Sequence, residues 1–238
     1  MSRAIASSLT AAVLALALFT GASQAQSPAA LFAEHCAACH GADRLGGQGP
    51  ALIPEALVRV REKGAHEVIL TGRAATQMPA FAGKPSAEAV TGLVKYIFTP
   101  LANVPDWREP QISASRELHP APPRADKPVF AADPLNLFVV VETGDHHVTI
   151  LDGDKFEPLH RFKSRFALHG GPKFTLDGRY VFFASRDGWI TKFDLWTLTV
   201  LAEVRAGLNT RNIAISRDGR HIAVANYLPH TLVMLSTR

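Results

Sequence analysis

The sequence contains little cysteine and no cluster of like charge. Its 238 residues include two cysteines, which excludes a disulfide-rich fold and leaves a zinc site of two cysteine pairs without its second pair. The formal net charge of +4 is spread along the chain without a basic patch, so nucleic acid is not an expected partner. A hydrophobic content of 47% is enough for the cores of one or two domains.

The sequence also lacks an apolar run long enough to cross a bilayer comfortably. The run Ala11–Phe19 follows Arg3 and precedes small residues that end near Gln26, which is the pattern of a secretory signal peptide. We therefore predict that residues 1–26 are a signal peptide, with an uncleaved anchor as the alternative. The mature protein is then expected in the periplasm, with no membrane span.

Both cysteines stand in one motif, Cys36-Ala-Ala-Cys39-His40. Two thiols one helical turn apart can each bond to a vinyl group of the same porphyrin, and the adjacent histidine then faces its iron. A thioredoxin-like redox pair and half of a zinc site are the alternatives, but no buried strand precedes the motif. The motif predicts a covalent haem c held by Cys36 and Cys39, with His40 as an axial ligand of its iron.

The residues around this motif have helical apolar spacing. Helices are predicted over 28–40, 54–63, 65–71 and 86–98, with Ser86 as the N-cap of the last one. The last helix is expected to pack across the first. Between the first two helices, the glycine-rich stretch 46–52 allows close approach to a flat ligand, and the Pro50 carbonyl is predicted to bond to the His40 imidazole.

Met78 is the candidate for the second axial ligand. It lies in a loop just before Pro79, so its thioether could reach the iron opposite His40. A packing role for Met78 is one alternative, since methionine often fills gaps in cores. His35 and His66 are rival ligands, but His35 adjoins the first attachment cysteine and His66 begins a helix.

The order of helix, C-x-x-C-H, Gly-Pro loop, helices, Met-Pro loop and final helix resembles the small class I cytochromes c. The resemblance covers residues 27–104 and implies an all-α domain with His40/Met78 ligation. Thioether sulfur opposite histidine raises the reduction potential of such an iron.

A proline-rich stretch separates this domain from the rest. Residues 100–128 contain seven prolines and no glycine. This composition predicts that residues 105–128 are an extended, rather stiff linker.

The pattern after residue 129 changes from helical to strand-like. Strands are predicted at 137–141, 148–151, 180–184, 189–193, 222–225 and 231–235, and the turn Asp177-Gly-Arg recurs 41 residues later as Asp218-Gly-Arg. This period predicts β-propeller blades. Residues 129–238 suffice for about two and a half blades, whereas closed propellers have four to eight, so an incomplete, all-β partial propeller is expected.

The segment from Phe166 to Trp196 resembles the haem d1 propellers. It contains His169 ahead of a D-G-R-Y turn, followed by R-D-G-W-I-T-K-F-D-L-W from Arg186 onward. The resemblance implies that His169 is an axial ligand of a haem d1 iron, and that Arg186 and Arg211 pair with haem d1 carboxylates. Ordinary core or surface roles for these three residues are the alternatives.

That family includes the dihydro-haem d1 dehydrogenases and the cytochrome cd1 nitrite reductases. His169-Gly-Gly-Pro-Lys and Asn226-Tyr-Leu-Pro-His230 look more like the dehydrogenases. The resemblance then implies oxidation of a propionate of dihydro-haem d1 to an acrylate, with electrons passing to haem c. A nitrite reductase fragment and a plain electron-carrier cytochrome c remain alternatives. Periplasmic electron-transfer proteins, and a cytochrome cd1 nitrite reductase, are the expected partners.

Overall fold

The computed structural model describes residues 26–83, 85–168 and 170–238. The predicted signal peptide therefore lies outside the described residues, apart from Gln26. Among the residues that the structure describes, no helix is both long and apolar enough to cross a membrane.

The first part of the chain is helical. Ser27 caps the first helix, since its Oγ accepts a hydrogen bond from the Ala30 amide at 3.2 Å, and Ser86 caps the fifth helix in the same way, as predicted. The helices are α1 (Pro28–His35), α2 (Ala37–His40), α3 (Pro54–Leu57), α4 (Arg61–Thr71) and α5 (Ala87–Ile97).

One predicted helix boundary is wrong. The helix expected over 54–63 ends at Leu57, and α4 then runs from Arg61 through Gly64, where the sequence predicts a break. The backbone of Arg61 has φ +57°, in the left-handed region, and this turn of the chain separates α3 from α4.

The core of the helical domain lies between α1 and α5, as predicted. Leu31 and Phe32 of α1 are buried against Leu93, Val94 and Ile97 of α5. Because these side chains recur at helical spacing on one face of each helix, burying them fixes α1 across α5. This contact holds the C-x-x-C-H motif at the C-terminal end of α1.

The proline-rich stretch differs from an extended linker. It contains α6 (Glu109–Ala114) and the short strand β1 (Glu117–Leu118), which pairs with a strand of the following domain. The Trp107 indole also donates to the carbonyl of Arg205 at 2.8 Å. This part of the chain therefore lies along the β domain.

The remainder folds into three antiparallel sheets. Their orders are β2-β3-β4, β1-β8-β7-β6-β5 and β11-β10-β9, so paired strands are consecutive in the chain except for β1, which pairs with β8. The strands are β2 (Leu137–Glu142), β3 (His147–Asp152), β4 (Pro158–Lys163), β5 (Lys173–Phe174), β6 (Tyr180–Ala184), β7 (Trp189–Asp194), β8 (Thr199–Arg205), β9 (Asn209–Ile215), β10 (His221–Leu228) and β11 (Thr231–Ser236).

The two Asp-Gly-Arg turns occupy equivalent places, before β6 and before β10. Thr175 Oγ1 donates to Asp177 Oδ1 at 2.5 Å, and Ser216 Oγ donates to Asp218 Oδ1 at 2.6 Å. The glycine of each turn has φ +69°, which a side chain would disfavour. The 41-residue period therefore marks a repeat of local structure, with the same hydrogen bonds in both copies.

A buried ion pair stabilises the second sheet. Arg179 and Asp194 are both almost fully buried, and the guanidinium donates to the carboxylate from Nε and Nη2, at 3.2 and 2.8 Å. Arg179 Nη1 also donates to the Ala125 carbonyl at 3.0 Å. The pair therefore fixes the residues before β2 against the strands β6 and β7.

Candidate functional site

The C-x-x-C-H motif begins at Cys36, the C-cap of α1, and continues through all of α2. The His40 amide donates to the Cys36 carbonyl at 2.9 Å, so the motif closes one helical turn. Cys36 and Cys39 are both half-buried free thiols. The structure therefore brings the two predicted attachment cysteines and His40 together.

The His40 ring has a defined tautomer. Its Nδ1 lies 2.7 Å from the Pro50 carbonyl oxygen, as predicted, and because a carbonyl only accepts, Nδ1 carries the proton. Burial lowers the pKa of His40, which keeps the ring neutral. Nε2 is then the nitrogen with a free lone pair, which is the state required of an iron ligand.

Gly49 lies directly against this ring. A Cβ at Gly49 would stand 2.6 Å from His40 Cε1 and 2.7 Å from Nδ1, which is closer than atoms can pack. The Gly49 amide also donates to the Cys39 carbonyl at 2.7 Å. The loop is therefore held against the motif, and the imidazole occupies the space of the missing side chain.

The thiols do not have the chemistry of a redox pair. Burial, together with the neighbouring Cys39, raises the pKa of the Cys36 thiol to about 11. Thioredoxin-like pairs instead depress the pKa of the attacking thiol so that it ionises near neutral pH. A protonated Cys36 thiol, with Cys39 one helical turn away and the free Nε2 of His40 beside them, fits covalent haem attachment better than thiol exchange.

Met78 lies in the loop between α4 and α5 and is half-buried. This loop is closed by its own hydrogen bonds, since the Arg73 amide donates to the Met78 carbonyl at 3.1 Å and the Met78 amide donates to Thr76 Oγ1 at 3.2 Å. The rival His35 ring lies 5.9 Å from that of Phe81. The rival His66 lines a shallow groove beside α5.

The helical domain is packed onto the β domain through an apolar cluster. This cluster buries three apolar residues in or beside the glycine-rich stretch 46–52, namely Leu45, Ala51 and Ile53, against Leu208 and Leu228. Burying such side chains on both sides excludes water from the contact and stabilises it. The loop that positions His40 is thus part of the domain interface.

Arg205 bridges the same interface. Its Nη2 donates to the Leu45 carbonyl at 3.2 Å, and its Nε donates to the Asp187 carbonyl at 2.8 Å. The guanidinium carbon lies 5.0 Å from the Trp107 ring centre, within cation–π range. Arg205 therefore links Leu45, beside the loop that positions His40, to Trp107 of the proline-rich stretch and to Asp187, which follows Arg186.

The structure brings Arg186 and Arg211 together. The Arg186 amide donates to the Ala167 carbonyl at 3.1 Å, and the Thr210 amide donates to the Arg186 carbonyl at 3.0 Å. Arg211 follows Thr210 on β9, so both arginines lie at neighbouring strand ends.

His169, the predicted haem d1 ligand, lies outside the described residues. The residues on either side of it converge on the same strand ends. Leu168 forms a β-bridge with Ser185, and a Cβ at Gly170 would lie 2.8 Å from the Asn212 side-chain oxygen.

Two further arginines, Arg59 and Arg73 of the helical domain, lie near Arg186. Burial lowers the pKa of the Arg186 guanidinium, and the positive charges of Arg73, Arg211 and Arg59 lower it further. Among residues 26–83, 85–168 and 170–238, no carboxylate lies within ion-pair distance of Arg59, Arg73 or Arg186. Sequence reasoning missed Arg59 and Arg73, because only the docking of the two domains brings them here.

Comparison with known proteins agrees with this two-part organisation. Residues 132–238 match the Cytochrome D1 heme domain family, and residues 23–97 match the family described as cytochrome C oxidase, cbb3-type, subunit III. The dihydro-heme d1 dehydrogenase of Pseudomonas aeruginosa is 58% identical over 229 residues, which are 94% of this chain and 46% of that protein. The nitrite reductase of Stutzerimonas stutzeri is 26% identical over 84% of this chain and 39% of its own length.

A solved structure, of dihydro-heme d1 dehydrogenase NirN in complex with DHE, superposes with a TM-score of 0.78 at 59% identity and covers 89% of this chain and 46% of that one. The chain therefore spans about half the length of the dihydro-heme d1 dehydrogenases that it matches. The predicted order of a helical cytochrome c domain before a β domain of the haem d1 type is confirmed. The chain therefore joins a segment similar to c-type cytochromes to a segment that matches the Cytochrome D1 heme domain family, and over both segments it is similar to a dihydro-heme d1 dehydrogenase.

Proposed function

We propose that this chain supplies the haem c domain and the first propeller blades of a periplasmic dihydro-haem d1 dehydrogenase. The observation that carries the proposal is the 58% identity over 94% of the chain, which spans both the C-x-x-C-H motif and the arginine region. Identity to the nitrite reductase is 26%, which favours the dehydrogenase over the reductase.

The residues of the helical domain fit a covalent haem c. Cys36 and Cys39 would form its thioether bonds, and His40 Nε2 and the Met78 thioether would bind its iron. The Pro50 carbonyl orients the imidazole and makes it a better donor, which is the usual role of such a partner. When bound, haem c takes up and releases single electrons.

The residues of the β domain fit a planar ligand with several carboxylates. Arg186 and Arg211 lie at adjacent strand ends and would pair with carboxylates, while His169 would bind the iron. The dehydrogenase reaction removes two electrons and two protons from a propionate side chain and leaves an acrylate. A haem c held by the neighbouring domain would accept these electrons one at a time, so a periplasmic electron-transfer protein would have to reoxidise it between the two transfers.

The strand count supports the predicted propeller. The described residues form ten strands from β2 to β11, and at four strands per blade these supply about two and a half blades. The equivalent turns precede β6 and β10, each the second strand in chain order among β5–β8 and β9–β11, and this supports the proposal that these strands form successive blades.

We expect electron-transfer proteins of the periplasm as redox partners, and a cytochrome cd1 nitrite reductase as a recipient of the product. Similarity to nitrite reductase and to cytochrome c55X of Pseudomonas aeruginosa, 41% identical over 64 residues, supports a place among these systems.

Anaerobic titration of the haem c-loaded protein with dihydro-haem d1 tests the proposal. The visible spectrum of the ligand should change on binding, and His169→Ala should remove that change. His221→Ala, which alters an exposed histidine of β10, is the matched control and should leave it intact. A wild-type protein that exchanges single electrons but binds no second tetrapyrrole would be a plain electron carrier. Reduction of added nitrite without turnover of dihydro-haem d1 would favour the reductase.

A further inference from the structure

Arginines from both domains converge on one region, although the sequence places them far apart. Arg59 follows α3 and Arg73 follows α4 in the helical domain, whereas Arg186 and Arg211 lie at strand ends of the β domain. The positive charges of Arg59, Arg73 and Arg186 repel one another unless an anion compensates them. The described residues provide Arg59, Arg73 and Arg186 with no carboxylate partner.

Direct contacts place Arg59 beside the strand ends. Its Nη2 donates to the Tyr227 hydroxyl at 3.3 Å. Asn226 and Leu228, on either side of Tyr227 in β10, pair with Thr210 and Asn209 of β9. The Thr210 amide in turn donates to the Arg186 carbonyl. The contact therefore connects Arg59 through β10 to both arginines of the β domain.

A second set of contacts places Arg73 on the other side. The loop that begins at Arg73 reaches the turn between β2 and β3, since the Ala75 carbonyl lies 3.4 Å from a Cβ built at Gly144. Two residues further on, the His146 ring packs edge-on against Phe166 at 4.9 Å, and Ala167 is bonded to the Arg186 amide. The helical domain therefore contacts two segments, β10 and the turn between β2 and β3, which other contacts link to the hydrogen-bond partners of Arg186.

We propose that Arg59 and Arg73 complete the ligand site of the β domain, so that one carboxylate-bearing tetrapyrrole is bound by guanidinium groups of both domains. This inference rests on the proposed function and adds to it the contribution of the helical domain. Guanidinium groups suit the role because they remain charged and can bind a carboxylate through two parallel hydrogen bonds. The carboxylates of the ligand would compensate the repulsion among Arg59, Arg73 and Arg186 and strengthen the contact between the domains.

The test is the affinity for dihydro-haem d1, measured anaerobically by visible titration of the haem c-loaded protein. Arg59→Gln and Arg73→Gln should each weaken binding by about tenfold or more, since a hydrogen bond to a charged group contributes roughly that factor. The double variant should also show a weaker dependence of affinity on salt, because two of the charges are gone.

Three control variants separate a ligand contact from other effects. Lys95→Gln and Arg217→Gln remove exposed cations from the helical domain and the β domain, and should leave the affinity within about twofold. Tyr227→Phe removes the hydrogen bond of Arg59 but not its charge, so it should weaken binding far less than Arg59→Gln.

The two proposals fail in different ways. A wild-type protein that does not bind dihydro-haem d1 would overturn the proposed function, and this inference with it. A wild-type protein that binds, and a double variant that binds equally well with the same salt dependence, would overturn only the role of Arg59 and Arg73.

Discussion

Replacing Gly49 by alanine tests whether close packing of the loop fixes the His40 ring. The φ of Gly49 is not in the left-handed region, so alanine can adopt the backbone without strain and the effect is steric. The new Cβ would lie 2.6 Å from Cε1 and 3.1 Å from Nε2, so the ring or the loop must move by about an ångström. We expect the domain to lose about 1–3 kcal/mol of unfolding free energy, the usual cost of overpacking.

The assay is chemical unfolding of the haem c-loaded protein, together with the reduction potential of the haem. Displacement of the ring should lengthen the bond from Nδ1 to the Pro50 carbonyl, 2.7 Å in the native protein, and shift the potential. Gly64→Ala is the matched control, since its Cβ would lie 3.5 Å from Val60 Cγ1 in ordinary contact. In the interior of α4 this change should stabilise by about 0.5–1 kcal/mol. Equal stability and potential for Gly49→Ala and the wild type would refute the reasoning.

Three further predictions concern the second axial ligand, the buried ion pair and the acid titration. Met78→Ala should abolish the iron–sulfur charge-transfer band and lower the reduction potential, because thioether ligation raises it; an unchanged band would leave Met78 a packing residue. Arg179→Gln leaves the buried Asp194 carboxylate without its ion-pair partner, so denaturant unfolding should show a loss of about 3–5 kcal/mol of unfolding free energy. A loss below about 1 kcal/mol would contradict the assigned ion pair. Hydrogen bonds from Arg161 and Thr149 lower the pKa of Glu142 to about 2, and Arg161→Gln should return it toward its ordinary value of 4.5, as followed by carboxyl chemical shifts. Because the folded pKa is depressed, this carboxylate stabilises the fold above about pH 4.5 and the contribution is lost as the pH falls toward 2. A Glu142 pKa that stays at about 2 in the variant would exclude Arg161 as the cause of the low value.

The local part of the site could be predicted from the sequence. Cys36, Cys39 and His40 lie within one helical turn, and the bond from His40 to Pro50 spans ten residues of a loop whose glycines let the backbone pass close to the ring. Six strands were predicted because their apolar runs are continuous or alternate. The strands β1, β4, β5, β8 and β9 were missed. The strands β1 and β5 have two residues each, and β8 is half-buried throughout and shows no alternation of apolar and polar residues.

The rest of the site depends on contacts between distant residues. No spacing in the sequence places Arg59 or Arg73 near Arg186, because their proximity follows from the packing of Leu45 and Ile53 on Leu208. The break between α3 and α4 was misplaced for a different reason. A glycine at position 64 suggests a helix end, but Arg61 adopts the left-handed backbone conformation instead.

The connecting segment determines where this protein can be cut into fragments for expression. The backbone of β8 is covered by that segment, since the Arg205 amide donates to Ser115 Oγ at 2.9 Å and the His119 amide donates to the Leu201 carbonyl at 3.0 Å. A fragment beginning at residue 129 would expose this strand edge as a template for pairing with other copies. A fragment beginning near residue 100 keeps the edge protected, so the boundary useful to an experimenter lies before the prolines rather than after them.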